Sequence, residues 1–277
     1  MSAAGVTLVL SGGGAKSAAH LGAARALAEA GLTPVRYVAT SMGAVIAAAL
    51  AAGADPDALV PRLGEVGRSG VARDPLALIG GLHARSLLRP RPFRLAVERI
   101  LPVRRFADLL VPITITVTDL DTGAQLLFGD GGEDAPLVDV LCASCALPVY
   151  YPPVRLSGRR CGDGGLRGAL PLDVAAGLAA ETVVAVDVGP GFDATEPGSS
   201  AGAPPIVRAH DDAVGALMAH ATAAQLALWR GDPSRPPLVY IRPRVERAAT
   251  FRVDHVRRYA DEGYAAAREA LAIAIRP

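Results

Sequence analysis

Cysteine is scarce: Cys142, Cys145 and Cys161 are too few and too close together for a disulfide framework. Neither charge dominates. Lys and Arg total 28 against 27 Asp and Glu, a net charge of +1. That balance leaves no global field to attract nucleic acid. Asparagine is absent and Lys16 is the only lysine, a bias that reads as codon usage. It marks Lys16 as a position where arginine was not used. No long hydrophobic run is present. The apolar stretch over residues 42–54 is rich in alanine and glycine and too short to span a bilayer. The N-terminus has no charged n-region and runs straight into a glycine turn, which argues against a signal peptide. These absences predict a cytoplasmic protein, with a membrane surface left open as a peripheral contact.

What is present suits a buried core. Hydrophobic residues make up 51% of the 277 and charged residues 20%, which excludes an intrinsically disordered chain. The length suits one large domain. Residues 6–10 (VTLVL) form an apolar run stopped by glycines, the pattern of a strand buried on both faces. Helical composition follows over 15–30 and ends at Gly31. A second strand is predicted over 35–38 and a second helix over 44–52, giving a β–α–β–α start with parallel strands. Residues 55–112 read as irregular, apart from a helix over 92–101. A β-branched strand over 113–118 pairs with 125–128 across a turn at Asp121-Thr122-Gly123. Further helices are predicted over 137–146, 206–230 and 251–275, strands over 154–156, 182–188 and 238–241, and a loop over 189–205. No internal repeat or low-complexity linker marks a boundary. The expectation is a single α/β domain over 1–277, a three-layer α/β/α sandwich with a mostly parallel central sheet. Residues 206–277 are expected to pack on that same domain.

Two turns can carry chemistry. Gly12-Gly13-Gly14-Ala15-Lys16 lies between the first strand and helix. Consecutive glycines let the backbone turn sharply and expose N–H groups, and the following helix adds its positive end. Such a loop holds a phosphate or an oxyanion, or is merely a tight turn. It is not a P-loop, because Leu10 and Ala15 stand where that motif has glycine. Ser17 replaces the last glycine of a dinucleotide fingerprint. Ala39-Thr40-Ser41-Met42-Gly43 also joins a strand to a helix, the setting of a nucleophile elbow, with Ala39 where glycine is usual. Ser41 is alternatively an ordinary N-cap. The two turns are one β–α–β unit apart, so both reach the carboxyl edge of adjacent parallel strands, where open α/β sheets bind ligands. A hydroxyl beside an N–H cradle is what acyl transfer requires. The candidate base is Asp163 in Asp163-Gly164-Gly165, unless that is only a turn. Of His20, His83, His210, His220 and His255, only the last three keep the chain order of a Ser–Asp–His triad.

Taken together, these motifs resemble the patatin-like phospholipases. The glycine loop, the Ser41 elbow, the block from Ala143-Ser144-Cys145-Ala146-Leu147-Pro148 to Tyr151-Pro152-Pro153-Val154, and Asp163-Gly164-Gly165 occur in that family's order over residues 5–190. The resemblance implies a lipid acyl hydrolase of phospholipase A, lysophospholipase or esterase type, with a Ser–Asp dyad and no histidine. Ser41 would be the nucleophile and Asp163 the base. Gly12, Gly13 and Gly14 would form the oxyanion hole, and Lys16 matches a basic position of the motif. No metal or organic cofactor is implied. Ala39, Ser17 and Gly168-Ala169 depart from the family pattern. The alternatives are a nucleotide- or phosphate-binding module using Gly12–Gly14, or a catalytically weak relative.

Two weaker features remain. Cys142 and Cys145 have redox-motif spacing but read as small core thiols. The segment His83–Arg105 carries Arg85, Arg89, Arg91, Arg94, Arg99, Arg104 and Arg105 among Leu87, Leu88 and Phe93. It is either a surface for lipid phosphates or a solvated helix face.

Overall fold

The computed structural model describes residues 4–75, 86–191, 204–246 and 250–274. Among the described residues, eight strands form one sheet: β1 Ala4–Leu10, β2 Leu32–Thr40, β3 Ile113–Asp119, β4 Gln125–Gly129, β5 Val154–Leu156, β6 Arg159–Asp163, β7 Val183–Val186 and β8 Leu238–Ile241. The pairs β3–β2, β2–β1, β1–β7 and β7–β8 are parallel, while β4, β5 and β6 add antiparallel pairings at the β3 end. The sheet is therefore mixed but mostly parallel. β1 is buried on both faces, as its unbroken apolar run implies. Leu8 and Leu10 join a core cluster with Val45, Ile46, Leu141 and Tyr259, whereas Val9 joins Leu172, Val183 and Trp229 on the opposite face.

The helices are α1 Ala19–Glu29, α2 Ser41–Ala51, α3 Pro56–Gly70, α4 Pro90–Ile100, α5 Leu137–Ser144, α6 Leu172–Ala176, α7 Pro205–Gly231 and α8 Val256–Ala274. The expected helix over 15–30 begins instead as a tighter 3-10 stretch, Gly14–Ala18, before α1. α3 falls in the stretch expected to be irregular. Its N-cap Asp55 accepts the Ala58 N–H at 3.2 Å and Pro56 opens its first turn, local signals that outweigh its glycines and internal Pro61. β2 extends beyond 35–38 in both directions, and α2 starts at Ser41 rather than 44. β6 and the five-residue α6 are additional elements. α8 packs on α1 at very close range. A Cβ on Gly22 would lie 1.8 Å from the Ala260 carbonyl oxygen, and one on Gly263 would lie 1.9 Å from that of Ala19. That contact ties the C-terminal helix to the helix behind the glycine loop. His83, Arg85 and most of the expected loop over 189–205 lie outside the described residues. Among the described residues, no helix is long and apolar enough to cross a membrane.

The register of β3 decides what meets at the carboxyl edge. Thr114 to Thr118 pair with β4 on one side. On the other side β2 occupies Ile113 to Thr116, and β6 takes over at Val117. Thr40 opposes Thr116 and Asp163 opposes Val117, so β2 and β6 end against each other along a single strand. The residue after β2 is Ser41, and the last residue of β6 is Asp163.

Candidate active site

Ser41 begins α2 with a left-handed backbone, φ +52°, directly after extended Thr40. This conformation is unusual for a residue with a side chain and lifts the hydroxyl off the helix axis. The tight turn needs Gly43, where a Cβ would lie 2.3 Å from the Ser11 carbonyl oxygen. Ala39, the departure from glycine, is fully buried in the core and the turn forms around its methyl. The Ser41 N–H donates to Ser144 Oγ at 2.8 Å, and the Ser144 hydroxyl donates to the Thr116 carbonyl at 2.8 Å. Ser144 thus pins the elbow to β3.

The Ser41 hydroxyl donates to Asp163 Oδ2 at 2.7 Å. Asp163 Oδ1 accepts the Gly165 N–H at 2.8 Å. The Asp163 backbone is tied down by Thr118, whose hydroxyl donates to its carbonyl, and by Ala146, whose carbonyl accepts its N–H. Gly164 and Gly165 are required by crowding. A Cβ on Gly164 would sit 2.3 Å from the Thr116 carbonyl oxygen, and one on Gly165 would sit 2.5 Å from Met218 Cε of α7. The Thr40 and Thr116 hydroxyls bond to each other beneath them. Ser41 and Asp163 are only 8% and 4% exposed, so the pair is shielded from water. Burial raises the Asp163 carboxyl to about 6, against the opposing hydrogen bonds from Ser41 and Gly165. A carboxylate made basic by desolvation and held against a hydroxyl can take its proton during attack.

The glycine loop comes from the neighbouring strand. A Cβ on Gly12 would stand 2.9 Å from Ser41 Cβ, so only a glycine lets the loop back onto the serine. Its N–H groups are not equivalent. Gly12 donates to the Ala169 carbonyl at 2.9 Å and Ala15 to the Thr250 carbonyl at 2.7 Å. Among the described residues, the Gly13 and Gly14 N–H groups have no hydrogen-bond partner. Of the three glycines expected to form a cradle, Gly12 therefore spends its N–H within the fold. Lys16 lies in the 3-10 stretch, 2% exposed. His20 holds the base of the loop: its Nε2 lies 2.9 Å from the Ser11 carbonyl oxygen, and burial lowers its pKa to about 4, so it is neutral and donates.

No described histidine bonds to Ser41 or Asp163. His20 is engaged with Ser11, His210 with Asp211, and His255 with Arg252 and Arg258, while His220 is exposed on α7. Cys145 is buried and its thiol is pushed well above the usual range, with the Ser41 hydroxyl beside it; burial pushes Cys142 up to about 12. Cys145 sits in the core at the end of α5, and half-buried Cys142 packs against that core. The sequence reading assigned no role to Ser144, Thr118 or Met218. Ser144 falls within the Ala143–Pro148 block, whereas Met218 carries no local signal in the sequence.

The model of the patatin-like phospholipase family matches residues 8–176. An uncharacterized NTE family protein of Mycobacterium tuberculosis is 34% identical over 198 residues, 68% of this chain and 52% of that protein. Human patatin-like phospholipase domain-containing protein 6 is 32% identical over 187 residues, 66% of this chain and 13% of that protein. The chain therefore spans about half the length of the mycobacterial relative and a small part of the human one. Among solved structures, VipD from Legionella pneumophila aligns with 99% of this chain and 67% of its own, at 15% identity and a TM-score of 0.47. The type III effector ExoU aligns with 96% of this chain and 53% of its own, at 18% identity and a TM-score of 0.38. The family match covers the glycine loop, the serine elbow and the aspartate turn, which the fold brings to one edge: the chain belongs to the patatin-like phospholipase family.

Proposed function

We propose that the protein is a serine acyl hydrolase cleaving lipid esters of the phospholipase A, lysophospholipase or esterase type. The observation that carries this reading is the 2.7 Å hydrogen bond from the Ser41 hydroxyl to Asp163 in a desolvated pair. Ser41 Oγ attacks the ester carbonyl while Asp163 Oδ2 takes its proton. The carbonyl oxygen gains negative charge and accepts hydrogen bonds from the Gly13 and Gly14 N–H groups. Collapse breaks the ester C–O bond, and Asp163 returns the proton to the departing alcohol. Water, deprotonated by the same carboxylate, then attacks the acyl-Ser41 carbonyl; the bond between that carbon and Ser41 Oγ breaks, Asp163 returns the proton to Oγ, and the fatty acid leaves.

The choice of a lipid ester rests on family membership. The alternative of a phosphate-binding loop is disfavoured by the donor count, since Gly12 and Ala15 spend their N–H groups internally. The test is a fluorophosphonate probe with peptide mapping. Covalent labelling at Ser41, together with turnover of p-nitrophenyl and phospholipid esters, is the expected result. Saturable nucleotide binding with no label at Ser41 would overturn it.

A further inference from the structure

The first turn of α4 carries an unusual charge arrangement. Between it and the end of α3 lies an open groove of about 430 Å³, lined by Ser69, Arg89, Arg91, Leu95 and Arg99 with two prolines. Among the described residues, no acidic side chain lines it. Arg94, on the same helix, is matched by Glu98 and Asp139. Arg91 and Arg99 have no ion-pair partner among the described residues, and Arg89 reaches Asp74 only at 4.0 Å. Arg91 and Arg99, beside the Arg89–Asp74 pair, give the hollow a net positive charge that attracts an anion. Guanidinium forks match phosphate oxygens in pairs. Leu95, 44% exposed, adds an apolar contact to the same groove.

The groove is mechanically joined to the dyad. The Leu87 and Leu88 N–H groups donate to the Val149 and Tyr150 carbonyls at 2.9 Å, and the Phe93 ring lies 5.1 Å from that of Tyr151. Val149 presents a 41% exposed apolar side chain from a left-handed backbone at φ +71°, a conformation rare for a β-branched residue. The same segment begins at Ala146, whose carbonyl holds the Asp163 N–H.

We infer that the groove docks the protein on an anionic lipid surface, with Arg89, Arg91 and Arg99 taking headgroup phosphates and Leu95 entering the interface. The inference rests on the proposed function only for the nature of the surface. Its test is independent of turnover: flotation of the full chain with vesicles of phosphatidylcholine alone or mixed with phosphatidylglycerol. Wild type should bind the anionic vesicles and lose them with salt, because exposed charges are screened over about 10 Å at 0.1 M. Arg91→Gln/Arg99→Gln should bind on the order of 30-fold more weakly, the usual effect of two basic groups at a surface. Arg91→Lys/Arg99→Lys should keep most of the binding. Arg257→Gln/Arg268→Gln, the same charge change on exposed positions of α8, should leave it unchanged. Turnover of a small soluble ester and phosphonate labelling should be equal in all four proteins. Loss of those activities alone would overturn the hydrolase reading and leave the docking result standing. Vesicle binding that ignores salt, that survives Arg91→Gln/Arg99→Gln, or that falls equally in the α8 variant would overturn the docking inference. So would inorganic phosphate bound at Arg91 and Arg99 with no vesicle binding.

Discussion

β1 and β2 end side by side, and each hands the chain to a helical segment through a left-handed residue, Gly14 at φ +61° and Ser41 at φ +52°. At Gly14 the conformation costs little, because there is no side chain to clash. A Cβ there would in any case lie 2.2 Å from the Thr250 carbonyl oxygen. At Ser41 the same backbone angle is strained, and the bonds it donates to Ser144 and Asp163 hold it. The difference follows from what each turn contributes. In the proposed mechanism, one offers bare N–H groups and depends on having no side chain. The other presents a hydroxyl and holds a strained backbone to do so.

The largest effect comes from removing the hydroxyl. Ser41→Ala should lower ester turnover on the order of 10⁴-fold or more, the scale of losing a nucleophile. Phosphonate labelling should vanish while the circular dichroism spectrum stays the same. Substantial turnover in the purified variant would end the assignment.

Asp163→Asn should follow with a loss of about 10²- to 10⁴-fold, the contribution of a positioned base. In the wild type, activity should fall as the pH drops below about 6, where the carboxylate takes a proton. Stability should move the opposite way. The carboxyl is raised from 3.8 to about 6 by folding, so its favourable contribution is complete below 3.8 and lost as the pH rises through about 6. The melting temperature of Asp163→Asn relative to wild type should therefore be higher at pH 8 than at pH 5. A pH-independent difference would remove the buried carboxylate from both roles.

Gly14→Ala tests the other side of the comparison. The added methyl meets the Thr250 carbonyl and a disfavoured φ, so the loop must shift and misplace its N–H groups. Acylation should slow by about 10²- to 10³-fold, the effect of losing one oxyanion donor. Single-turnover kinetics with a soluble ester read that step, and an unchanged rate would mean that the Gly13 and Gly14 donors are idle.

The smallest effect is the most diagnostic for strain. Ser41→Gly should raise stability relative to Ser41→Ala by roughly 1 kcal/mol, because glycine adopts the left-handed angle freely. Paired urea titrations measure it. Equal stability of the two variants would show that the elbow is relaxed.

Much of this centre was legible because its constraints are local. Gly12, Gly13 and Gly14 announce a turn, Ala39 to Gly43 announces an elbow, and the alternation of apolar runs with helical segments announces a parallel sheet. α3 was not legible, since its glycines and internal proline mask a helix that Asp55 and Pro56 initiate. The split of the first helix was hidden too. It goes with the Ala15 N–H meeting the Thr250 carbonyl, far along the chain.

The sequence by itself determined the residue types and their order: a glycine loop, a serine elbow, an aspartate turn and an arginine-rich helix. Each depends on backbone freedom or side-chain chemistry within a few positions. Only the tertiary structure decided which of them touch. Ser41 meets Asp163 because β2 and β6 end against each other along β3, a register set by long-range pairing. Gly12 gives its N–H to Ala169, a residue far along the chain. Burial, which raises Asp163 to about 6, belongs to no single residue and arises only when the elements close over the pair.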